Sequence, residues 1–301
     1  MKTIYSLQPS SFCFGVEKSI LGLATIIKNH PGEQIYCIHA LVHNPKVTTS
    51  FEKKGVHFVE SLDEITDPNA IIVFSAHGTD RTIIQQAKEK GKEVYNLECP
   101  FVSKIYTEAD LFIDKWIATF FYIGKEHHQE GKNVIAYIRS KGAKVYVFQT
   151  TQEIPAIPPE TEVAVLSQTT LNFEYVQEIL QQIQQRYPHA HLPAHSDVCK
   201  ATCERQSVIL QNLDKFQTFI VIWGKESSNT RELYEIGKRN DKQTFYGESF
   251  GDIIQHPHDE LLAHETVAVT GWASTPQEDI QEVVDFFVAN GYKEEILNLK
   301  R

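Results

Sequence analysis

Three segments of this sequence repeat one pattern, and that repeat limits the fold more than any other feature. They are IIVFSAHGTDRTIIQQAKEKG (71–91), VAVLSQTTLNFEYVQEILQQI (163–183) and VAVTGWASTPQEDIQEVVDFF (267–287). Each opens on a short apolar run and passes through a tip of small and polar residues. The tips are Ser75-Ala76-His77-Gly78, Ser167-Gln168-Thr169-Thr170 and Gly271-Trp272-Ala273-Ser274. Each then continues at helical spacing, as with Ile280, Val283, Val284 and Phe287. A short apolar run bounded by turn residues reads as a strand, and the 3–4 spacing reads as an amphipathic helix. Upstream of each lies a further strand and tip: QIYCIHALVHN (34–44), FFYIGKEHHQEG (120–131) and FIVIWGKESSN (219–229). Between the two sit weaker strands, VHFVESLDEI (56–65), KVYVFQTTQEI (144–154) and QTFYGESFGDI (243–253), each ending in an acid and an Ile.

The cysteines follow the same period. SFCFGVEKSI, ECPFVSKIYTEADLF and VCKATCERQSVIL each begin a unit and run into a helix, with Cys13, Cys99 and Cys199 spaced 86 and 100 residues apart. Strands alternating with helices imply parallel sheets. The expected fold is therefore α/β: three similar units with mainly parallel sheets around a pseudo-threefold axis, with a central metal cluster. The expected boundaries are 14–98, 99–197 and 198–301, with 1–13 associated with the third unit. In such sheets ligands gather beyond the carboxyl ends of the strands, where these tips lie.

Composition narrows the partners. With 42% hydrophobic residues, every unit can build a core. A formal net charge of −10 argues against nucleic acid or an anionic membrane as partner, since both are bound through basic surface. The opening stretch MKTIYSLQPSSF lacks the apolar centre of an export signal, and the run from Trp116 to Ile123 is far shorter than a membrane span. The expectation is a cytoplasmic protein. Five cysteines, an odd number, do not suggest a disulfide framework.

Three cysteines at equivalent places suggest a metal centre, whereas Cys37, within a strand, and Cys203, one turn beyond Cys199, have no such equivalents. Three thiolates suit an iron–sulfur cluster with one open iron, or a Cys-ligated zinc. The tips supply the other groups. His43, His77, His128, Ser227, Ser228, Asn229 and Ser274 are donors suited to the oxygens of a phosphate or diphosphate. Glu130 is the natural proton donor. Thr169 and Thr170 can position it, although a Thr pair after a strand also serves as a helix cap.

Taken together, the residues resemble a known family. Phe12-Cys13-x-Gly15-Val16, Val42-His43-Asn44, Ser75-Ala76-His77-Gly78, Cys99-Pro100-x-Val102-x-Lys104, Gln168-Thr169-Thr170-Leu171, Asp197-x-Cys199-x-Ala201-Thr202, Arg205-Gln206, Ser227-Ser228-Asn229 and Ala273-Ser274-x-Pro276 look like the 4-hydroxy-3-methylbut-2-enyl diphosphate reductase (IspH/LytB) family. The resemblance spans nearly the whole chain, in order. It implies a 4Fe–4S cluster with three Cys ligands, on Cys13, Cys99 and Cys199, and one open iron. It implies reductive dehydroxylation of a small allylic diphosphate to isopentenyl and dimethylallyl diphosphate, the last step of the non-mevalonate isoprenoid pathway. It places the diphosphate among His43, His77, His128, Ser227, Ser228, Asn229 and Ser274. Glu130 becomes the proton donor, helped by Thr169, and a ferredoxin or flavodoxin the electron donor.

Several positions depart from the family pattern. Ser10-Ser11 stands where Arg-Gly usually precedes Phe-Cys, and Asn96-Leu97-Glu98 replaces the usual Asp-x-Thr. The second-unit tip is shortened to His128-Gln129-Glu130-Gly131, which leaves His127 and His128 as competing matches. Gly271-Trp272-Ala273-Ser274 carries an indole in place of a Gly. A carboxylate at Glu98 would lower a cluster's potential if it pointed inward; the expectation is that it points outward, as a charge near a helix start. Trp272 is expected to pack away from the diphosphate. The departures motivate one alternative, a diverged paralogue that keeps cluster and fold but acts on or binds a different substrate.

Overall fold

A computed structural model describes residues 1–90, 93–222 and 228–300, with the side chains of 228–231 outside the description. The chain divides into two compact units, Met1–Phe14 with Lys200–Arg301, and Gly15–Cys199. Strand β1 (Thr3–Gln8) belongs to the former.

The unit Gly15–Cys199 takes in nearly all of α1 (Phe14–Asn29), then β2 (Ile35–Ile38), α2 (Pro45–Glu52), β3 (Val56–Val59), β4 (Ile71–Phe74), α3 (Arg81–Glu89) and β5 (Val94–Asn96). It continues through α4 (Pro100–Asp114), β6 (Thr119–Ile123), α5 (Gln129–Ser140), β7 (Lys144–Phe148), β8 (Ala164–Ser167) and α6 (Phe173–Arg186). These strands form two sheets, ordered β3-β2-β4-β5 and β7-β6-β8, and their neighbours pair in parallel. Parallel neighbours need a crossover, and the intervening helices supply it. One core packs α4 and α5 against the second sheet through Ile105, Val134, Ile138, Phe120 and Leu166, all essentially inaccessible.

The other unit contains α7 (Lys200–Leu210), β9 (Thr218–Ile222), α8 (Ser228–Arg239), β10 (Gln243–Gly247), α9 (Phe250–Ile253), α10 (His258–Leu261), β11 (Thr266–Gly271), α11 (Gln277–Ala289) and β12 (Lys293–Asn298). Its sheet runs β10-β9-β11-β1-β12, again parallel throughout. Alternation along β9 feeds two cores. Phe219 and Val221 face α7 and α8, while Ile220 and Ile222 face α11. Ile280, Val283, Val284 and Phe287 form the buried stripe of α11, as their spacing predicts. Each such side chain contributes about 1.5–3 kcal/mol on burial.

The acid-Ile endings of the weak strands acquire a physical reason. Glu64 Oε1 accepts the N–H groups of Glu60 and Ser61, both at 2.9 Å. Glu153 Oε2 accepts those of Gln149 and Thr150 at 2.8 and 3.0 Å. Asp252 Oδ2 accepts those of Glu248 and Ser249 at 3.0 and 3.1 Å. In each case the acid reaches back to the start of its own short helical turn, and the following Ile65, Ile154 or Ile253 is buried. We propose 14–98, 99–197 and 198–301 with 1–13 as the repeating segments, one sheet to each. Among the described residues no helix is long and apolar enough to cross a membrane.

Candidate functional site

The three equivalent cysteines each stand immediately before a helix: Cys13 before α1, Cys99 before α4 and Cys199 before α7. Their backbone N–H groups are held alike. Cys99 donates to the Ala76 carbonyl at 3.0 Å, Cys199 to Thr169 at 2.8 Å and Cys13 to Ala273 at 3.0 Å. Each acceptor lies two residues past the end of its strand, β4, β8 or β11. The tips therefore support the cysteines, in the same register each time. All three cysteines are half-buried thiols outside any disulfide. Cys37 is fully buried in β2, where burial pushes its thiol well above the usual range, and Cys203 lies within α7.

The donor set fits a thiolate-held group. The backbone N–H groups of a helix start favour an anionic ligand atom. The half-buried setting of these three contrasts with the closed one of Cys37. Among the described residues no group of three or more His, Cys, Asp or Glu is arranged to hold a single metal ion.

Within Gly15–Cys199 three imidazoles gather. The rings of His43 and His77 stack with centroids 3.9 Å apart, and His128 lies 6.0 Å from His43. Asn44 caps α2, accepting the Lys46 N–H at 2.9 Å with Pro45 at the first helical position, so the chain turns directly after His43. His128 occupies the N-cap position of α5 but its ring makes no capping bond. Both its ring nitrogens, and Nε2 of His77, are buried without a hydrogen-bond partner. Polar atoms placed so are ready for a ligand's oxygens. Burial, reinforced by His43 and Lys125, lowers His128 to about 4. Burial and the neighbouring imidazoles push His77 well down too. His127 is exposed, so the structure sets His128 rather than His127 beside His43.

Glu130 is the second residue of α5, within its first turn, and is 3% exposed. Thr169 holds it at both oxygens, through its N–H at 2.7 Å and its hydroxyl at 2.6 Å. Burial raises its carboxyl to about 7, against the opposing effect of these hydrogen bonds; the Glu98 charge adds to the rise. Gly131 allows this placement, because a Cβ there would collide with the Lys125 carbonyl oxygen. The cap of α6 is Asn172, which leaves Thr169 to Glu130.

Glu98 corrects an expectation. It is buried within its unit rather than an outward charge at a helix start. It is 3% exposed, with Oε1 accepting from Arg81 at 2.7 Å and from Ser103. Arg81 was not singled out from sequence, since nothing local to it signals a partner 17 residues on. The Lys104 bridge to Asp197 at 3.0 Å also emerges only in three dimensions; Asp197 accepts the Ser167 N–H at 2.8 Å as well. The bridge ties the Cys99 helix to the segment that leads into Cys199. Burial and Glu108 raise Asp197, with Lys104 opposing.

In the other unit Trp272 is 3% exposed, packed among Leu7, Val208, Phe219 and Leu233. The Arg205 guanidinium lies 5.8 Å from its ring and donates to the carbonyls of Ser11 and, at 3.1 Å, Ala201. Ser274 follows Ala273 and is buried. Ser227 lies outside the described residues, as do the side chains of Ser228 and Asn229; α8 begins at Ser228.

Known proteins resemble this chain over most of its length. The family model described as LytB protein matches residues 4–288. A 4-hydroxy-3-methylbut-2-enyl diphosphate reductase of Anaplasma marginale is 30% identical over 280 residues, covering 93% of this chain and 80% of that protein. The protein of the same name from Actinobacillus pleuropneumoniae is 30% identical over 283 residues, covering 92% of this chain and 87% of that one. Among solved structures, the E-1-hydroxy-2-methyl-but-2-enyl-4-diphosphate reductase from Plasmodium falciparum matches with a TM-score of 0.89 at 23% identity, covering 100% of this chain and 94% of that one. These similarities extend over both units, so the fold is the one those enzymes share and the chain belongs to the LytB protein family.

Proposed function

We propose that the chain is an oxidoreductase that reduces 4-hydroxy-3-methylbut-2-enyl diphosphate to isopentenyl and dimethylallyl diphosphate, the last step of the non-mevalonate isoprenoid pathway. The balance is two electrons and two protons taken up, with the allylic hydroxyl leaving as water. The observation that carries the reading at the level of residues is the Glu130–Thr169 pair, because a buried carboxyl raised to about 7 can hold a proton at neutral pH and release it. The relatives named above carry the reaction type.

Cys13, Cys99 and Cys199 would hold a 4Fe–4S cluster with one open iron. Such a cluster supplies electrons and a Lewis-acidic iron when bound. The chain's own residues do the rest. His43, His77 and His128, with Ser227, Ser228, Asn229 and Ser274, would bind and orient the diphosphate. The His77 and His128 imidazoles, kept neutral by burial, suit that task as hydrogen-bond donors, and an arriving anion would favour their protonation. Glu130 would deliver a proton to the departing oxygen, with Thr169 fixing the carboxyl. We assign electron supply to a ferredoxin or flavodoxin and place the protein in the cytoplasm.

The diverged-paralogue alternative is not favoured. Trp272, which together with the shortened 128–131 tip motivated it, sits in the apolar core of its own unit. The test is anaerobic turnover of the diphosphate substrate with a strong chemical reductant. Formation of both five-carbon diphosphates supports the proposal; loaded protein that leaves the substrate untouched overturns it.

A further inference from the structure

Arg81 and Glu98 form an ion pair beside Cys99. Glu98 is 2% exposed at its side chain and Arg81 29%, with Nη2 to Oε1 at 2.7 Å. The Ser103 hydroxyl, on the first turn of α4, donates to the same oxygen. The guanidinium lies 4.1 Å from the centroid of the Tyr106 ring, one turn further on. Tyr106 in turn donates to the Thr79 carbonyl at 3.4 Å. The second carboxylate oxygen, Oε2, is buried without a partner and lies 3.2 Å from where a Cβ on Gly78 would be. Gly78 adopts φ +81°, a conformation that favours glycine, and Asn133 donates to its carbonyl at 2.8 Å. The ion pair thus joins the start of α3, the residue before Cys99 and the first turns of α4, all against the His77-Gly78 tip.

A carboxylate this deep is strongly disfavoured unless an opposite charge offsets it. Arginine suits that place, being weakly hydrated and able to stack on an aromatic face while it pairs. We propose that Arg81 is a charge-compensating, positioning residue for the centre. It neutralises the carboxylate beside Cys99, so that a cluster held there is not driven to a lower potential, and it pins the His77-Gly78 tip to α4. This rests on the assignment of Cys99 as a cluster ligand. The physical reason is that an uncompensated negative charge near a group that gains an electron disfavours the reduced state.

The test uses the full chain, loaded anaerobically, as wild type, Arg81→Gln, Arg81→Lys, Glu98→Gln and the Arg81→Gln/Glu98→Gln double variant. The cluster's midpoint potential is read by redox titration, and thermal unfolding is read on the same proteins without cluster. Arg81→Gln is expected to shift the potential to more negative values and to lower the Tm. Glu98→Gln is expected to shift the potential less, in the positive direction. Arg81→Lys should stay near wild type, and the double variant should return toward it in both readouts. Loaded Arg81→Gln with an unchanged potential overturns the proposal, as do Tm effects of the single changes that simply add in the double variant. If Arg81→Gln fails to load, the double variant is expected to load, and failure of both overturns the compensation. Wild type that takes up no iron defeats the cluster assignment and the potential effect with it, an outcome distinct from an unmoved potential in loaded protein.

Discussion

Thr169 grips both oxygens of Glu130, by its N–H at 2.7 Å and its hydroxyl at 2.6 Å, while its own carbonyl receives the Cys199 N–H at 2.8 Å. The proposed acid and one proposed cluster ligand are therefore fixed by a single residue. Glu130→Gln keeps the shape and removes the transferable proton. Turnover should fall about 10²- to 10⁴-fold with substrate affinity little changed. Single-turnover kinetics measure this, and full activity in Glu130→Gln would reassign the acid.

Glu130 also makes stability depend on pH. Its folded carboxyl is raised from 4.5 to about 7, so the folded state binds more protons than the unfolded one across that interval. Stability is then full below 4.5 and declines as pH rises toward 7. The loss is on the order of 3 kcal/mol, at about 1.4 kcal/mol per pKa unit. Urea unfolding of apo-protein at pH 8 should show Glu130→Gln to be the more stable form, with the difference vanishing near pH 4.

The imidazoles act in the opposite direction. His128 is lowered from 6.5 to about 4, so its neutral form is favoured by folding. Stability from this source is present above 6.5 and is lost as pH falls toward 4. His128→Asn should flatten the acid limb of the stability profile. An anion among these rings favours their protonated forms, so inorganic pyrophosphate should bind with proton uptake. Calorimetry in buffers of different ionisation enthalpy checks this; a binding enthalpy independent of buffer would remove the imidazoles from the anion site.

Trp272 is a core residue of its unit, packed with Leu7, Val208 and Phe219. Trp272→Gly should cost about 3–5 kcal/mol in unfolding free energy, the usual range for emptying a large aromatic site. Trp272→Phe should lose much less and keep turnover. Equilibrium unfolding of both variants separates this from a role in substrate choice, in which Trp272→Phe would alter the substrate rather than the stability.

Sequence periodicity exposes most of the architecture because each strand-tip-helix segment buries an apolar stripe. It misses β1, β5 and β12, the last two for physical reasons. β5 has three residues, and β12, KEEILN, is largely exposed at the edge of its sheet, so neither carries a strong apolar signal. The cysteines and His tips are legible because they recur at one register. Glu98 is not, because its orientation depends on Arg81, which only folding brings near. His128 is separated from His127 by geometry alone, since one residue's step around the start of α5 decides which ring meets His43.

The most direct test of the central claim is iron content and turnover measured together under anaerobic conditions. Wild type should carry about four irons per chain and convert 4-hydroxy-3-methylbut-2-enyl diphosphate to isopentenyl and dimethylallyl diphosphate. The Cys13→Ser, Cys99→Ser and Cys199→Ser variants should lose both, while Cys37→Ser and Cys203→Ser should keep both. Full iron in a protein lacking Cys13, Cys99 and Cys199 together, or fully loaded wild type without turnover, would contradict the account.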